Sequence, residues 1–582
     1  MSAPTPFKTA AVQFEPTIFE KERNVEGLLA LVERAAAGGA KLIVTPEMGT
    51  TGYCWHDRKE VEPFVEPIPG PTTDRFAAVA KALDIHVVVG LPEVDPATQL
   101  YYNSAVLIGP DGVVGTHRKT HPYISEPKWA ASGDLGHRVF ETPLGRIALL
   151  ICMDIHFIET ARLAGLGGAD VICHVSNWLA ERTPAPYWIT RAFENGCYLV
   201  EANRWGLERG VQFSGGSCII APDASILDTV DDGDGIAFAV VDPALSRART
   251  VWGEPILRQR RPELYRELMT NTFAWNPGDF FRLYGHQPLP EGRKAAVAVA
   301  EFAPGPVASD NLAEIARLAE AAATEGAELV VFPELALTGL EDPAAGAVTG
   351  YDPLIAAIED LARRLAIHLV AGFAERDGER VFDSAVLVGP AGLVGIYRKI
   401  HLSEADKGWA SAGDDWAVFD LPFGRLGLLI GHDASFPEAG RILALRGCDL
   451  IACPSAVKDR FHQGHAGTSV VQPEPIPTGA DPLHWHQYRV RAGENNCWLA
   501  FANVRAPLDG YPGLSGIFGP DTFLFPRQEA IVDGNRPYAV MEIDTGTLGG
   551  PYPTHVVRRK DLVLMRQPHH YMDLVVAAPT AV

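Results

Sequence analysis

The sequence is poor in positive charge and contains no long apolar run. Its 582 residues include 50 lysines and arginines against 72 aspartates and glutamates, a formal net charge of −22. Because phosphate binding needs clustered Lys and Arg, this balance argues against nucleic acid and against an anionic membrane surface as partners. No stretch approaches the ~20 consecutive apolar residues of a membrane-spanning helix. The N-terminal stretch MSAPTPFKTAAVQFEP also lacks the basic and apolar regions of a signal peptide.

Cysteine is scarce as well, and the eight that occur show neither metal-binding pairs nor the spacing of a disulfide framework. Several lie in apolar runs such as DVICHV and LIACPS, where a free thiol behaves as a small hydrophobic side chain. Free thiols are typical of a reducing compartment, so we expect cytoplasmic localisation. The sequence predicts no cofactor and no metal site.

One pattern is written twice along the chain. GGAKLIVTPEMGTTGY (38–53) returns as EGAELVVFPELALTGL (325–340), and YNSAVLIGPDGVVGTHRKTH (102–121) returns as FDSAVLVGPAGLVGIYRKIH (382–401). A period of roughly 290 residues is that of a whole domain, and the chain is too long for one ordinary core. We therefore predict two tandem domains, 1–287 and 288–582.

Within each copy, short β-rich runs alternate with helical patterns. KTAAVQF and IHVVVGLPE have the apolar character of buried strands, whereas NVEGLLALVERAAAGGA has the periodicity of an amphipathic helix that ends at glycine. YNSAVLIGPDG and VVGTHRKTH predict a hairpin around a Pro-Asp-Gly turn. This alternation predicts an α/β domain with helices on the outer faces of its sheets.

Three reactive side chains of the first copy lie just past buried strands. Glu47 ends KLIVTPE, Lys119 follows GVVGTHR and Cys152 ends RIALLI, so the three are placed to converge at one edge of a sheet. A thiol becomes a good nucleophile when a nearby ammonium lowers its pKa or a carboxylate takes its proton. The same ammonium, together with the backbone N–H after the nucleophile, suits the stabilisation of a tetrahedral oxyanion.

These motifs, in this order, resemble those of the nitrilase superfamily of carbon–nitrogen hydrolases. Both copies resemble it over nearly their whole length, including the R-A-x-E-N motif at 191–195. The resemblance implies an αββα sandwich for each copy and a catalytic triad of Glu47, Lys119 and Cys152. Superfamily members often carry a further glutamate about seven residues after the lysine, and Glu126 matches that position.

The resemblance implies hydrolysis of a carbon–nitrogen bond in a small molecule through a cysteine thioester. An amidase that releases ammonia is favoured, because Cys-Met-Asp stands where nitrilases proper typically have Cys-Trp-Glu. Nitrilase activity and N-carbamoyl amidohydrolase activity stay open, and so does a non-hydrolytic acyl-transferring or binding role. The candidate substrate-binding residues are Tyr53, Trp55, Met153, His156 and Trp178.

The second copy lacks the nucleophile. LLICMDIHF (149–157) returns as LLIGHDASF (428–436), so Gly431 stands where the first copy has its cysteine. Without a thiol no thioester can form, and we predict a catalytically silent domain. The shared Asp154 and Asp433 indicate that the elbow itself is structural in both copies. The remaining counterparts of the catalytic residues are Glu334, Lys399 and Asp406, which align with Glu47, Lys119 and Glu126.

Two further expectations concern the second copy as a whole. Superfamily members usually pair through the helices that follow the cysteine elbow and through the R-A-x-E-N helix, so the resemblance implies an intramolecular pseudo-dimer. Association of whole chains into a homo-oligomer stays open. An insertion at 458–485 contains or adjoins His462, His465, His484 and His486, but its Pro- and Gly-rich composition indicates a surface loop, or a lid over the first site, rather than a zinc site.

Overall fold

A computed structural model describes residues 5–123, 125–179, 183–248, 250–251, 254–271, 288–458, 483–521, 527–548, 557–558 and 560–577. The chain divides into two compact units, the first within residues 1–251 and the second within 252–462 and 484–582. The insertion predicted at 458–485 lies outside the described residues except at its two ends, and its histidine side chains are not described.

The first unit contains two six-stranded sheets. Its strands are β1 (Phe7–Gln13), β2 (Leu42–Val44), β3 (His86–Val94), β4 (Tyr101–Gly109), β5 (Gly112–Arg118), β6 (Val139–Thr142), β7 (Gly145–Ile151), β8 (Val171–Ser176), β9 (Tyr198–Asn203), β10 (Trp205–Glu208), β11 (Val211–Ser214), β12 (Cys218–Ile220), β13 (Ile226–Thr229), β14 (Gly235–Val241) and β15 (Thr250–Val251). The strand orders are β14-β1-β2-β3-β4-β5 and β13-β12-β9-β8-β7-β6, and β10 pairs separately with β11. The predicted hairpin is present as β4 and β5, which pair antiparallel.

Helices cover the outer faces of these sheets. They are α1 (Lys21–Ala37), α2 (Arg58–Val61), α3 (Pro71–Leu83), α4 (Ile158–Leu166), α5 (Pro186–Asn195) and α6 (Pro243–Ala248). Val25 and Leu28 of α1 and Phe76 of α3 share one buried cluster with Ile43 and Val87 of the first sheet. Because side chains alternate along a strand, the neighbours of these strand residues point toward the other sheet.

The second unit repeats this architecture. Its strands are β16 (Glu254–Pro255), β17 (Lys294–Ala300), β18 (Leu329–Val331), β19 (His368–Asp377), β20 (Arg380–Gly389), β21 (Gly392–Arg398), β22 (Val418–Leu421), β23 (Gly424–Leu428), β24 (Leu450–Ser455), β25 (Trp498–Asn503), β26 (Arg505–Ala506), β27 (Tyr511–Pro512), β28 (Gly516–Phe518), β29 (Glu529–Ile531) and β30 (Tyr538–Asp544), and its helices are α7 (Ala308–Thr324), α8 (Pro353–Leu365), α9 (Pro437–Leu445), α10 (Leu483–Glu494) and α11 (Asp561–Leu564). Two six-stranded sheets have the orders β21-β20-β19-β18-β17-β30 and β22-β23-β24-β25-β28-β29. The predicted tandem αββα architecture is confirmed.

The segment that follows the first copy packs in the second unit. Arg260 Nε lies 2.7 Å from Glu438 Oε1 at the start of α9, and Arg446 Nε donates to Glu267 Oε1 over 2.9 Å. Residues 254–271 are therefore grouped with the second unit, whereas the predicted bounds 1–287 and 288–582 assign them to the first domain. The bounds of separable domains stay a prediction.

Among the helices within the described residues, none is both long enough and apolar enough to cross a bilayer.

Candidate active site

Glu47 lies on a tight loop directly after β2. Met48 behind it has a φ of +51°, a left-handed conformation that few non-glycine residues adopt. Strand β3 passes so close to this loop that a Cβ atom on Gly90 would lie 2.6 Å from the Pro46 carbonyl oxygen and 2.8 Å from the Glu47 Cα. A glycine at this point of β3 therefore lets the strand support the loop that carries Glu47.

Lys119 follows β5 and is held between two carboxylates. Its Nζ lies 2.8 Å from Glu47 Oε1 and 2.6 Å from Glu126 Oε2, and all three side chains are fully buried. A buried ion cluster is retained only when its charges are paired and hydrogen-bonded, so the position of each group is strongly constrained by the other two. The structure thus brings together Glu47, Lys119 and Glu126 as the sequence predicts.

A fourth polar residue completes this cluster, and the sequence analysis missed it. Asn103 Nδ2 donates to Glu47 Oε1 over 2.7 Å and to Glu126 Oε1 over 2.5 Å. It therefore forms a second bridge between the two carboxylates, in addition to the ammonium. The available signal was an amide in the otherwise apolar strand YNSAVLIG, together with its replacement by Asp383 in FDSAVLVG.

Cys152 stands at a sharp elbow between β7 and a short 3₁₀ helix, Cys152–His156. Its φ is +44°, so the nucleophile position carries backbone strain. Asp154 holds this turn, because it accepts hydrogen bonds from the backbone N–H groups of Ile151 at 3.2 Å and Thr120 at 3.1 Å. This agrees with the prediction that the shared aspartate is structural.

Burial sets the pKa of the thiol. Burial raises the pKa of Cys152 well above its usual value, the charge of Glu47 raises it further, and Lys119 only partly opposes both. Desolvation thus penalises the charged thiolate more than the lysine stabilises it. Burial likewise raises the pKa of Glu47. The resting pair is a thiol beside a carboxylate of increased basicity.

One oxygen of Glu47 is open for proton transfer. Its Oε1 already accepts hydrogen bonds from Lys119 and Asn103, whereas Oε2 is buried and accepts none from the residues that the structure describes. A buried acceptor without a donor is rare in native proteins and points to a functional role. We expect Oε2 to be the basic atom.

Asn177, which the sequence analysis also missed, connects the loop that carries Glu47 to Cys152. Its Nδ2 donates to the backbone oxygen of Glu47 over 3.1 Å. Its backbone also hydrogen-bonds to the Cys152 thiol and lowers the pKa of that thiol, against the larger effect of burial. The second copy has Ala456 at the aligned position, so this link is lost there.

The five predicted substrate-binding residues have different surroundings. Tyr53 lies beside the cluster, with Lys119 Nζ 5.6 Å from the centre of its ring, and Met153 is buried next to the nucleophile. His156 stacks on Trp178 with ring centres 4.8 Å apart. Trp55 instead packs edge-on against Phe19, and its Nε1 donates to the Gly52 carbonyl. Contact with substrate stays a prediction for all five.

The second copy keeps the same layout without a nucleophile. Lys399 Nζ lies 2.6 Å from Glu334 Oε1, 2.8 Å from Asp406 Oδ2 and 3.1 Å from Asp383 Oδ2. Gly431 has a φ of +42°, nearly that of Cys152. A Cβ atom on this glycine would collide with Glu334 Oε2, so the carboxylate occupies space that a side chain at this position would need.

The left-handed elbow gives a stability prediction for the first copy. At most strand and helix positions, alanine is more stable than glycine, but the reverse holds at positive φ. We expect Cys152→Gly to be as stable as Cys152→Ala or more stable by up to about 1 kcal/mol, measured by urea denaturation. A clearly more stable alanine variant would show that the elbow relaxes when the thiol is removed.

The comparison with known sequences identifies the family. The family described as "Carbon-nitrogen hydrolase" matches residues 8–250 and again residues 296–522. The chain belongs to the carbon–nitrogen hydrolase family, in two tandem copies. It is therefore a hydrolytic enzyme of the nitrilase superfamily, and a thiol nucleophile fits this family.

Individual relatives each match slightly less than half of the chain and nearly all of their own length. A protein named nitrilase from Pyrococcus abyssi is 38% identical over 261 residues, which cover 44% of this chain and 98% of that protein. A protein named N-carbamoylputrescine amidase from Oryza sativa subsp. japonica is 32% identical over 290 residues, 45% of this chain and 94% of that protein. A solved carbon–nitrogen hydrolase from Helicobacter pylori covers 46% of this chain and 99% of its own, with 25% identity and a TM-score of 0.42.

Proposed function

We propose that the first copy is an amidase that converts a small amide into a carboxylic acid and ammonia. The observation that carries this proposal is the buried ion cluster, in which Lys119 Nζ lies 2.8 Å from Glu47 and 2.6 Å from Glu126 beside the Cys152 elbow. A carboxylate with one open oxygen, a fixed ammonium and a thiol supply the three groups that acyl transfer needs.

The first half of the reaction forms a thioester. Glu47 Oε2 takes the thiol proton while Cys152 Sγ attacks the carbonyl carbon of the amide. The oxyanion is stabilised by Lys119 and by the backbone N–H of Met153. The C–N bond then breaks, the Glu47 carboxylic acid gives its proton to the leaving nitrogen, and ammonia departs from the acyl-enzyme.

The second half returns the enzyme to its starting state. Glu47 takes a proton from water as the water oxygen attacks the thioester carbon. The C–S bond breaks, the thiolate of Cys152 regains the proton from Glu47, and the carboxylic acid is released. Glu126 acts through Lys119 and Asn103, because it fixes the direction of the ammonium and the charge around the base.

Nitriles and N-carbamoyl compounds are the alternative substrates, since relatives of this chain carry the names nitrilase and N-carbamoylputrescine amidase. A panel of aliphatic and arylaliphatic amides, matched nitriles and N-carbamoyl compounds, assayed for ammonia release, separates the three. We expect the highest kcat/KM for amides. Turnover of nitriles alone would assign the enzyme to the nitrilases. Ammonia release that yields an acylated acceptor in place of the carboxylic acid would place it in a non-hydrolytic class.

Replacement of Asn103 by leucine should change the pH profile. The amide donates to Glu47, and a hydrogen bond to a carboxylate lowers its pKa. Its loss raises the pKa of Glu47 further, so the ionised base is lost at a higher pH. We expect the acid limb of kcat/KM against pH to move up by about one unit. An unshifted limb would mean that Asn103 does not set the basicity of Glu47.

We also propose that the second copy is the built-in partner of the first in a pseudo-dimer. Residues 254–271 support this, because they follow the first copy in sequence and pack in the second unit. A protease site introduced between residues 272 and 287 should yield two fragments that co-purify and keep their activity. Fragments that separate without denaturant would contradict the pseudo-dimer.

A further inference from the structure

The silent second unit contains a cavity at the position of the lost active site. It has a volume of about 500 Å³, and its lining includes Glu334, Lys399, Asp406 and Gly431, the counterparts of the four catalytic residues. A volume of this size is typical of small-molecule sites. The loss of the nucleophile has thus removed the chemistry and left a space that a ligand can enter.

Hydrogen-bond acceptors outnumber donors at the floor of this cavity. An ammonium has three N–H donors, and Lys399 directs them at three carboxyl groups, those of Glu334, Asp406 and Asp383. The change from Asn103 to Asp383 puts one of these carboxyl groups where the first copy has an amide. A ligand that brings its own N–H donors is therefore favoured here.

The formal charge of the floor is negative. Burial raises the pKa of Asp383 well above its usual value and the charge of Glu334 raises it further, which favours the uncharged form of this carboxyl. In the lining, the carboxylates of Glu334, Glu341 and Asp406 outnumber the ammonium groups of Lys399 and Lys458 by one. Burial also lowers the pKa of His432 to about 3, so its imidazole adds no positive charge.

Aromatic side chains complete the cavity. Trp409, Tyr488 and Tyr511 belong to its lining, and Tyr488 is fixed by stacking on Phe501 with ring centres 3.7 Å apart. Aromatic faces attract organic cations, most strongly where water is excluded. The Lys458 ammonium already lies 4.8 Å from the centre of the Tyr511 ring. A lining that combines carboxylates with aromatic rings fits a cation that carries an apolar body.

We propose that the cavity of the second unit binds a small organic ammonium ion and does not turn it over. The ammonium group donates to Glu334 and Asp406, and its apolar part lies against the aromatic rings. The Lys399 ammonium lies among the same carboxyl groups, and it repels a divalent metal ion about twice as strongly as it repels a singly charged ammonium. The proposal is independent of the reaction assigned to the first copy.

Titration calorimetry of the full chain with benzylammonium, with benzyl alcohol as the neutral isostere, tests the proposal. We expect benzylammonium to bind and benzyl alcohol to bind at least about tenfold more weakly. Asp406→Asn should weaken benzylammonium by about tenfold or more, whereas the matched variant Glu126→Gln in the first copy should not. Thermal melting of each variant checks that it is folded.

A second variant avoids the buried cluster. Glu341 is exposed and belongs to the cavity lining, so Glu341→Lys reverses a charge there without disturbing the core, and benzylammonium should again bind more weakly. No binding of benzylammonium, equal binding of benzyl alcohol, or loss of binding in Glu126→Gln alone would overturn the proposal. Binding of Mn²⁺ in place of benzylammonium would instead identify a metal site.

A separate feature lies beneath the nucleophile of the first copy. His174 Nε2 lies 3.0 Å from the carbonyl oxygen of Cys152, and its Nδ1 contacts the Glu201 carboxylate. A carbonyl oxygen can only accept, so Nε2 must carry hydrogen. Burial opposes the charged ring, yet the charge and hydrogen bond of Glu201 raise the pKa of His174.

The second copy has no such pair. Strand pairing places His174 beside Glu201, and the same register places Cys453 beside Phe501. The charged pair is therefore present in the copy with the nucleophile and replaced by apolar residues in the copy without it. This difference points to a role in catalysis rather than in the fold, because the sheet forms with either pair.

We further propose that His174 and Glu201 are positioning residues that polarise the peptide between Cys152 and Met153. A hydrogen bond to the carbonyl of a peptide strengthens donation by the N–H of the same peptide. That N–H belongs to Met153. In the proposed function it stabilises the oxyanion, so this inference rests on the proposed function.

The test compares His174→Gln, which keeps a neutral donor, with the double variant His174→Cys/Glu201→Phe, which carries the residues of the second copy. We expect kcat to fall about tenfold and a hundredfold, respectively, with KM nearly unchanged. The Ki of a substrate aldehyde, which forms a tetrahedral adduct with Cys152, should rise by the same factors. Unchanged kcat and Ki with an inactive Cys152→Ala would overturn this inference alone, whereas an active Cys152→Ala would overturn the proposed function.

Discussion

Cys152→Ala should abolish ammonia release, whereas Glu334→Gln should leave it near the level of the unmodified chain. Removal of the thiol eliminates the acyl-enzyme, and we expect kcat to fall by roughly four to six orders of magnitude. Glu334 pairs with Lys399 in the second copy as Glu47 pairs with Lys119 in the first. It faces Gly431, however, and no thiol. The assay is steady-state ammonia release from the best amide of the panel.

The matched pair Glu47→Gln and Glu334→Gln extends this comparison. Glutamine keeps the shape of the side chain but cannot take a proton, so only the variant in the first copy should lose activity. Activity that survives Cys152→Ala and disappears in Glu334→Gln would place catalysis in the second unit. Equal losses in both glutamate variants would mean that the second unit takes part in the reaction.

Lys119→Met is expected to reduce both activity and stability. The substitution leaves Glu47 and Glu126 buried without their shared cation, and the loss of one partner from a buried ion pair costs about 3–5 kcal/mol. Loss of the charge that faces the oxyanion should lower kcat by about a hundredfold to a thousandfold. Urea denaturation and ammonia release measure the two effects on the same protein.

Lys399→Met separates these two effects. Lys399 also lies among buried carboxyl groups, so its loss should destabilise the second unit by a similar amount. Because no thioester forms there, the folded variant should keep its activity. A strong loss of activity in a folded Lys399→Met chain would contradict the assignment of the second copy as catalytically silent.

Much of the fold follows from local sequence patterns. The apolar runs of the strands, the amphipathic periodicity of α1 and α3 and the Pro-Asp-Gly turn between β4 and β5 all correspond to elements of the structure. These elements are predictable because side-chain periodicity and turn chemistry depend on neighbours in sequence. The internal repeat then predicts two copies of one sandwich.

Part of the site was predictable and part was not. Glu47, Lys119, Glu126 and Cys152 stand at strand ends in recognisable motifs, and the structure brings the first three into one buried ion cluster beside the elbow of the fourth. Asn103 and Asn177 lie in no such motif. Their roles depend on contacts to Glu47 across 56 and 130 residues of sequence, and spacing carries no information about such contacts.

The sequence by itself determined that the first copy has Cys152 at the elbow and the second has Gly431, because a residue's identity at an aligned position can be read directly from the repeat. Only the tertiary structure decided the protonation chemistry. The pKa of the thiol is raised rather than lowered, because burial outweighs the lysine, and burial is a property of the packed chain. Packing likewise decided that the second copy has a cavity with an excess of carboxyl groups, because its lining comes from six separate stretches of the chain.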